Sequence, residues 1–391
     1  MSFASLHLAL NRTLCTPARW PRDTVRFSLL RTRWVLIALA SLSTTLIAST
    51  AALCLTTGCS SVAYYAQSIT GHMKLVGAAK PVPQWLVDEN SPAALKERLA
   101  LSQRLRDFAI TDLKLPDNAS YRRYADLQRS AAVWNVVATP ELSLQLKTWC
   151  FPVMGCVGYR GYYHEEEAQA YAAQLRKEGL EVLVYGVPAY STLGKLPGTY
   201  FADPLLSTFI RYPEGELARM IFHELSHQVV YADNDTVFNE SFATAVERIG
   251  SKQWLARFAS PQVAAEQIQR DARRDDFREL TMLYRDKLDE LFRSAKSDEE
   301  KRAGKVQLMA QMRADYAQLK QDRWGGFSGY DGWFEKANNA SLGVLAVYNQ
   351  LVPDFERLFE REGQNFEQFY ASVKRLALLP PLERRQQLQA P

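Results

Sequence analysis

From Asp203 until a polar, Pro-rich tail closes the chain, apolar residues return every three or four positions, the period of a helix packed along one side. Pro213-Glu214-Gly215-Glu216 opens one helix with acids at its positive end, and Phe238 to Ile249 reads as the next. Two longer segments then carry apolar stripes. One opens at Ser260-Pro261 and places Phe277, Leu280, Tyr284, Leu288 and Leu291 on one face. The other opens at Ser297-Asp298-Glu299-Glu300, a capping box, and continues Val306, Met309, Met312, Tyr316, Leu319. Together they predict an antiparallel helical hairpin over 261–322, ended by Trp324-Gly325-Gly326-Phe327-Ser328-Gly329-Tyr330.

Upstream the pattern shortens. Ala131–Ala138, Leu142–Trp149, Val157–Tyr163 and the alternating Leu180–Val187 read as strands, with Glu165–Glu178 an amphipathic helix closed by Gly179. Helices are also predicted over Ser61–Leu75 and from Ser91-Pro92, where a capping residue precedes proline. The chain is therefore expected to be α+β and predominantly helical. A small sheet with one helix against it falls within 120–200. The organisation is a leader (1–58), an N-terminal helical segment (59–119), a core of small sheet and site helices (120–260), the hairpin (261–322) and a C-terminal helical part (323–391).

The leader changes the meaning of the charge. Residues 1–58 hold six arginines and one acid, Asp23, and end in the almost uncharged stretch Trp34–Gly58. Such a basic end followed by an apolar run is the polarity of a secretory signal. The run closes on Leu55-Thr56-Thr57-Gly58-Cys59-Ser60-Ser61, similar to a bacterial lipobox in which Cys59 takes the lipid. The alternative is an uncleaved anchor, since Trp34–Gly58 is long enough to span a bilayer. Either way the body is expected to face the periplasm; with no aspartate after Cys59, a lipoprotein would sort to the outer membrane. The chain's net charge is +4, of which the leader supplies +5, leaving the mature protein near −1. The basic balance thus gives no reason to expect a nucleic-acid partner. Of five cysteines, processing leaves Cys59, Cys150 and Cys156. The last two, six apart around a Pro/Gly turn, are expected to pair in an oxidising compartment.

The chemistry centres on His223-Glu224-Leu225-Ser226-His227. Two histidines four apart on a helix project from one face and can bind one metal. Glu224, beside them, is placed as general base toward a water activated by Zn2+. A catalytic zinc needs a third protein ligand. Only five histidines exist, and His7, His72 and His164 lie in no motif, so the favoured ligand is Glu240 of Asn239-Glu240-Ser241-Phe242-Ala243. An Asn-Glu helix soon after the histidine pair is the habit of the gluzincins, the thermolysin-like class. The spacing found in thermolysin would instead select Glu247, seven residues further on the same face. Glu247 is therefore the alternative ligand, or a partner that orients a histidine. Tyr348, with Tyr330 second, is the candidate donor to the oxyanion.

The mature chain resembles a family of bacterial lipoproteins described as aminopeptidases. The resemblance runs from Gly58-Cys59-Ser60-Ser61-Val62-Ala63-Tyr64-Tyr65-Ala66-Gln67 through Trp149-Cys150-Phe151-Pro152, Tyr159-Arg160-Gly161-Tyr162-Tyr163 and Tyr190-Ser191-Thr192-Leu193-Gly194. It is densest from Asp203-Pro204-Leu205-Leu206-Ser207-Thr208 to Asn239-Glu240-Ser241-Phe242-Ala243-Thr244. It implies a zincin-like metallopeptidase acting on peptides, with zinc on His223, His227 and Glu240, and Glu224 as general base. The Gly-x-Met-x-Glu-Asn segment of many thermolysin-like aminopeptidases is absent, so exo- and endopeptidase action both stay open. The rival reading is a membrane-tethered scaffold with a structural zinc, binding partners through the hairpin.

Overall fold

The computed structural model describes the backbone of residues 59–151, 155–189 and 199–390, and their side chains except at 59–63, 155 and 346–349. The leader, the Cys59 side chain and the Tyr348 side chain lie outside the described residues. The backbone falls into two compact units, 1–66 and 67–391. The chain is α+β and predominantly helical. No helix among the described residues is long and apolar enough to cross a membrane.

Helix α1 (Cys59–Gly77) begins the described chain. Within the second unit its Gln67 donates to Gly161 O and accepts from Tyr163 N, pinning the helix to a strand end. Then come β1 (Lys80–Pro81), a short helix α2 (Val82–Val87) and α3 (Ala93–Thr111). The Ser91-Pro92 start is capped differently from the expectation: Pro92 occupies the N-cap, and Ser91 Oγ donates to Asp88 instead. Strand β2 (Arg123–Ala125) pairs with β1 and, in parallel, with the distant β8 (Leu205–Leu206). These strands are too short to show a period in the sequence.

The larger sheet has the order β6-β3-β7, with β3 (Val133–Pro140), β6 (Arg160–Tyr162) and β7 (Leu180–Val187) all antiparallel neighbours. Val133 faces Val187 and Pro140 faces Leu180, so the two long strands pair along their whole length. Seven of the eight β3 residues are buried; α4 (Glu165–Lys177) packs on this sheet, as does α10 (Asn339–Asn349). Two strand expectations need correction. The Val157–Tyr163 run is divided between β6 and a separate ladder of β4 (Trp149–Phe151) and β5 (Gly155–Val157). The Leu142–Trp149 run forms a strand only at its end. The carbonyls of Glu141, just before the run, and of Ser143 accept from the Asn339 side chain, and Lys147 N donates to Ala138 O. A side chain from far along the chain thus satisfies the carbonyls at the start of the run.

Helices α5 (Glu214–Ser226) and α6 (Thr236–Phe258) pack on each other at the centre, flanked by α3, α11 (Val352–Arg361) and α12 (Phe366–Ala377). Aromatic residues fill the joints. Phe108 meets Phe222 and Trp254, while Phe242 meets Phe355, Phe369 and Tyr370. Each such fully buried side chain contributes about 1.5–3 kcal/mol by leaving water. The last helix, α13 (Pro381–Gln389), packs on α11 and α12.

The hairpin is formed by α7 (Pro261–Arg293) and α8 (Asp298–Asp322), the latter opened by a reciprocal Ser297–Glu300 capping box. Phe277, Tyr284, Leu288, Met309, Met312 and Tyr316 build a second hydrophobic cluster, which takes in Phe334 of α9 (Asp331–Lys336) and Leu342 of α10. Val306, counted in the predicted stripe, is instead 68% exposed.

Candidate functional site

Helix α5 carries acids in its first turn and histidine in its last. His223 and His227 stand one turn apart, with ring centroids 4.9 Å apart and planes at 84°. His227 closes the helix at the C-cap, where the outward carbonyls favour a positive charge. Chain direction then reverses through 228–235. The reversal is held by Asn239, whose side-chain amide donates to Ala232 O at 2.8 Å while its oxygen accepts from Ala232 N at 2.7 Å. Asp235 caps α6 through Phe238 N and pairs with the buried Arg384 of α13 at 2.6 Å. The Asn-Glu dipeptide of the sequence therefore couples a loop clamp to the carboxylate that follows it.

Helix α6 returns along α5 and presents both acids to His223 from opposite ring edges. Glu240 Oε2 lies 3.2 Å from His223 Nε2 and 3.7 Å from His227 Nε2. Glu247 Oε2 lies 2.9 Å from His223 Nδ1. The two histidine Nε2 atoms are 3.2 Å apart. His223, His227 and Glu240 thus converge, with one donor atom from each inside 4.8 Å, whereas Glu247 sits on the far side of the imidazole.

Three electron-pair donors this close repel one another unless a positive charge lies among them. A tetrahedral zinc with bonds of about 2.0–2.2 Å has donor–donor edges of about 3.3–3.6 Å; the observed edges of 3.2 and 3.7 Å bracket that range. The donor set of two imidazoles and one carboxylate also suits zinc. The residues fit the ion. Without it, the electrostatics show the same demand. Burial opposes a charge on His223, but hydrogen bonds to Glu240 and Glu247 outweigh it and raise its pKa well above the usual value. Burial holds His227 down to about 4. Glu240 is lowered against its own burial by the charges of His227 and His223.

Glu224 is partly buried beside this cluster and makes no hydrogen bond among the described residues. Burial, with the nearby charges of Glu240 and Asp203 and against that of His223, pushes its carboxyl up to about 7. Its neighbourhood includes a polar network, buried at Ser120 and Asp203, that the sequence did not reveal. Gln228 accepts from Asn118 Nδ2 at 2.6 Å and donates to Ser120 Oγ at 3.1 Å and Asp203 Oδ2 at 3.5 Å. Behind it the fully buried Arg106 donates to the carbonyls of Pro116 and Ser120. Tyr121, in the left-handed region at φ 62°, takes its place through a 2.7 Å bond to Asp203 O. The parallel pairing of β2 with β8 brings these two segments together, and a ladder of two residue pairs leaves no signal to read in advance.

Cys150 and Cys156 are disulfide-bonded across the β4–β5 ladder, and Cys156 N donates to Asn234 in the loop after His227. Tyr330 stacks on Phe277 within the hairpin's aromatic cluster and is not among the groups converging on the histidines. Two other tyrosines lie nearer in electrostatic terms. The Tyr121 hydroxyl is raised by burial and then by Glu224, and that of Tyr231 by burial and then by Glu240. Tyr231 stands four residues after His227, a spacing that could have flagged it.

Residues 63–388 match the profile of one family, described as "putative aminopeptidase". No curated protein and no solved structure matches the chain.

Proposed function

The chain belongs to that aminopeptidase family, and on this premise we propose that it is a zinc-dependent peptidase whose ion is held by His223, His227 and Glu240. The convergence of those three donors carries the reading. Bound there, zinc supplies a Lewis acid that polarises the scissile carbonyl and brings the pKa of a water toward neutrality. Glu224 accepts the proton of the attacking water at its carboxylate and returns it to the nitrogen of the departing amine. Its carboxylate is uncommitted to any other described group, which suits that role and would be idle in a purely structural site. Glu247 fixes the ring of His223 by accepting from Nδ1, leaving Nε2 toward the ion. A tyrosine hydroxyl, from Tyr348 or Tyr231, would serve the oxyanion. In the same reading Cys59 carries a lipid and the catalytic body faces the periplasm, where peptides are the substrates.

The test is a paired zinc titration and peptidase assay on three variants. Glu224→Gln should keep zinc and lose activity by about 100-fold or more. Glu240→Gln should lose zinc and activity together. Glu247→Gln should weaken zinc affinity by about 10- to 100-fold. Normal zinc affinity in Glu240→Gln with loss of metal in Glu247→Gln would exchange the two roles.

A further inference from the structure

The first motif histidine is connected to the helical hairpin by a run of charged pairs that the reaction itself does not use. Glu247 spends Oε2 on His223 Nδ1 at 2.9 Å, and its other oxygen lies 3.9 Å from Arg219 Nη1. Arg219 is one turn before His223 on α5, with its side chain only 11% exposed. Its second nitrogen forms an ion pair with Asp271 of α7 at 2.8 Å. Asp271 is held in turn by Gln267 at 2.9 Å and Arg274 at 3.2 Å, and both of those residues also bond Glu216 of α5. The two helices meet closely here. A Cβ on Gly215 would fall 2.4 Å from the Gln267 side-chain oxygen.

We propose that Arg219 and Asp271 are positioning residues for the metal centre, so that the hairpin base holds Glu247, and through it His223, in the orientation that binds zinc. The inference rests on the reading of His223, His227 and Glu240 as zinc ligands. Arg219 has no contact with the ion's place; it acts by fixing the far oxygen of Glu247. Asp271 acts one step further back, by fixing Arg219. An imidazole is a good ligand only when its ring plane is held, and the group accepting from its distal nitrogen does the holding. A carboxylate with one oxygen unanchored can rotate away from that nitrogen. Arg219, pinned by Asp271, opposes the rotation.

Ordinary helix docking would use the same pairs, so the experiment must separate the two. Zinc affinity is measured by competition with a fluorescent chelator on the detergent-solubilised full chain. The variants are Arg219→Met, Arg219→Lys, Asp271→Asn, Glu247→Gln and the Arg219→Met/Glu247→Gln pair. Arg219→Met should weaken zinc by about 3- to 10-fold, less than Glu247→Gln, and Arg219→Lys should recover most of the loss. Asp271→Asn should move affinity the same way by a smaller factor. The double variant should bind zinc no more weakly than Glu247→Gln alone, because Arg219 acts only through Glu247. A folded Arg219→Met with wild-type affinity would overturn the proposal, as would an effect that adds in full to Glu247→Gln. If Arg219→Met fails to fold, Asp271→Asn, on a side chain 36% exposed, together with its pair with Glu247→Gln decides by the same two criteria. A wild-type chain that binds no zinc overturns the metal reading itself, an outcome distinct from both.

Discussion

At the scale of single residues, the site follows from helical spacing and from which ring edge each acid meets. His223 and His227 were legible because four residues make one turn, and a turn puts both imidazoles on one side. Glu240 and Glu247 share a helix face by the same rule, which is why spacing alone left both open as ligands. What separates them is the ring of His223: Glu240 meets Nε2 and Glu247 meets Nδ1. No periodicity encodes that difference, since it depends on how far α6 slides along α5. Arg219 also sits at helical spacing from His223, yet its partner Asp271 is on another helix, so no local pattern singled it out. A direct check on the residue scale is Asn239→Ala. It removes both clamp bonds to Ala232 and leaves a buried backbone donor and acceptor bare, at a cost of about 1–3 kcal/mol each. Urea unfolding should report that loss together with weakened zinc binding; an unchanged midpoint would show that the loop is held by other contacts.

At the scale of elements, a helix with an apolar stripe is legible in the sequence and a short element is not. The hairpin stripes bury at Phe277, Tyr284, Leu288, Met309, Met312 and Tyr316 because three-four spacing on two neighbouring helices has one natural solution. In the Leu142–Trp149 run the Asn339 side chain takes the Ser143 carbonyl and that of the preceding Glu141, an arrangement that no apolar pattern reveals. The small β1-β2-β8 sheet, which aligns Tyr121 with Asp203, consists of strands too short to alternate visibly. Helix α13 has a role that its polar sequence conceals. Arg384 donates to the carbonyls of Leu376, Ala377 and Leu379 and pairs with Asp235, both side chains being 5% exposed. Removing one partner strands the other charge in the core, so Arg384→Ala should lose about 3–5 kcal/mol of stability. Denaturant unfolding measures this, and a loss below about 1 kcal/mol, the worth of an exposed pair, would contradict it.

At the scale of the whole molecule, two hydrophobic clusters meet at α5 and α6. One surrounds α5 and α6; the other is the hairpin with α9 and α10. The charged junction of Arg219, Asp271, Arg274 and Glu216 is where the hairpin base meets α5. Tethering is the second question at this scale. If Cys59 takes a lipid, Cys59→Ser should leave the leader attached and hold the protein in the inner membrane. Unchanged processing and fractionation would remove the tether from the account.

The central claim is that His223, His227 and Glu240 hold one zinc, and metal stoichiometry tests it most directly. Purified chain, dialysed against trace zinc and analysed by mass spectrometry for metals, should carry one zinc per molecule. His223→Ala and His227→Ala, each confirmed as folded, should carry none. Full zinc occupancy in both variants, or no zinc in the wild type, would contradict the account.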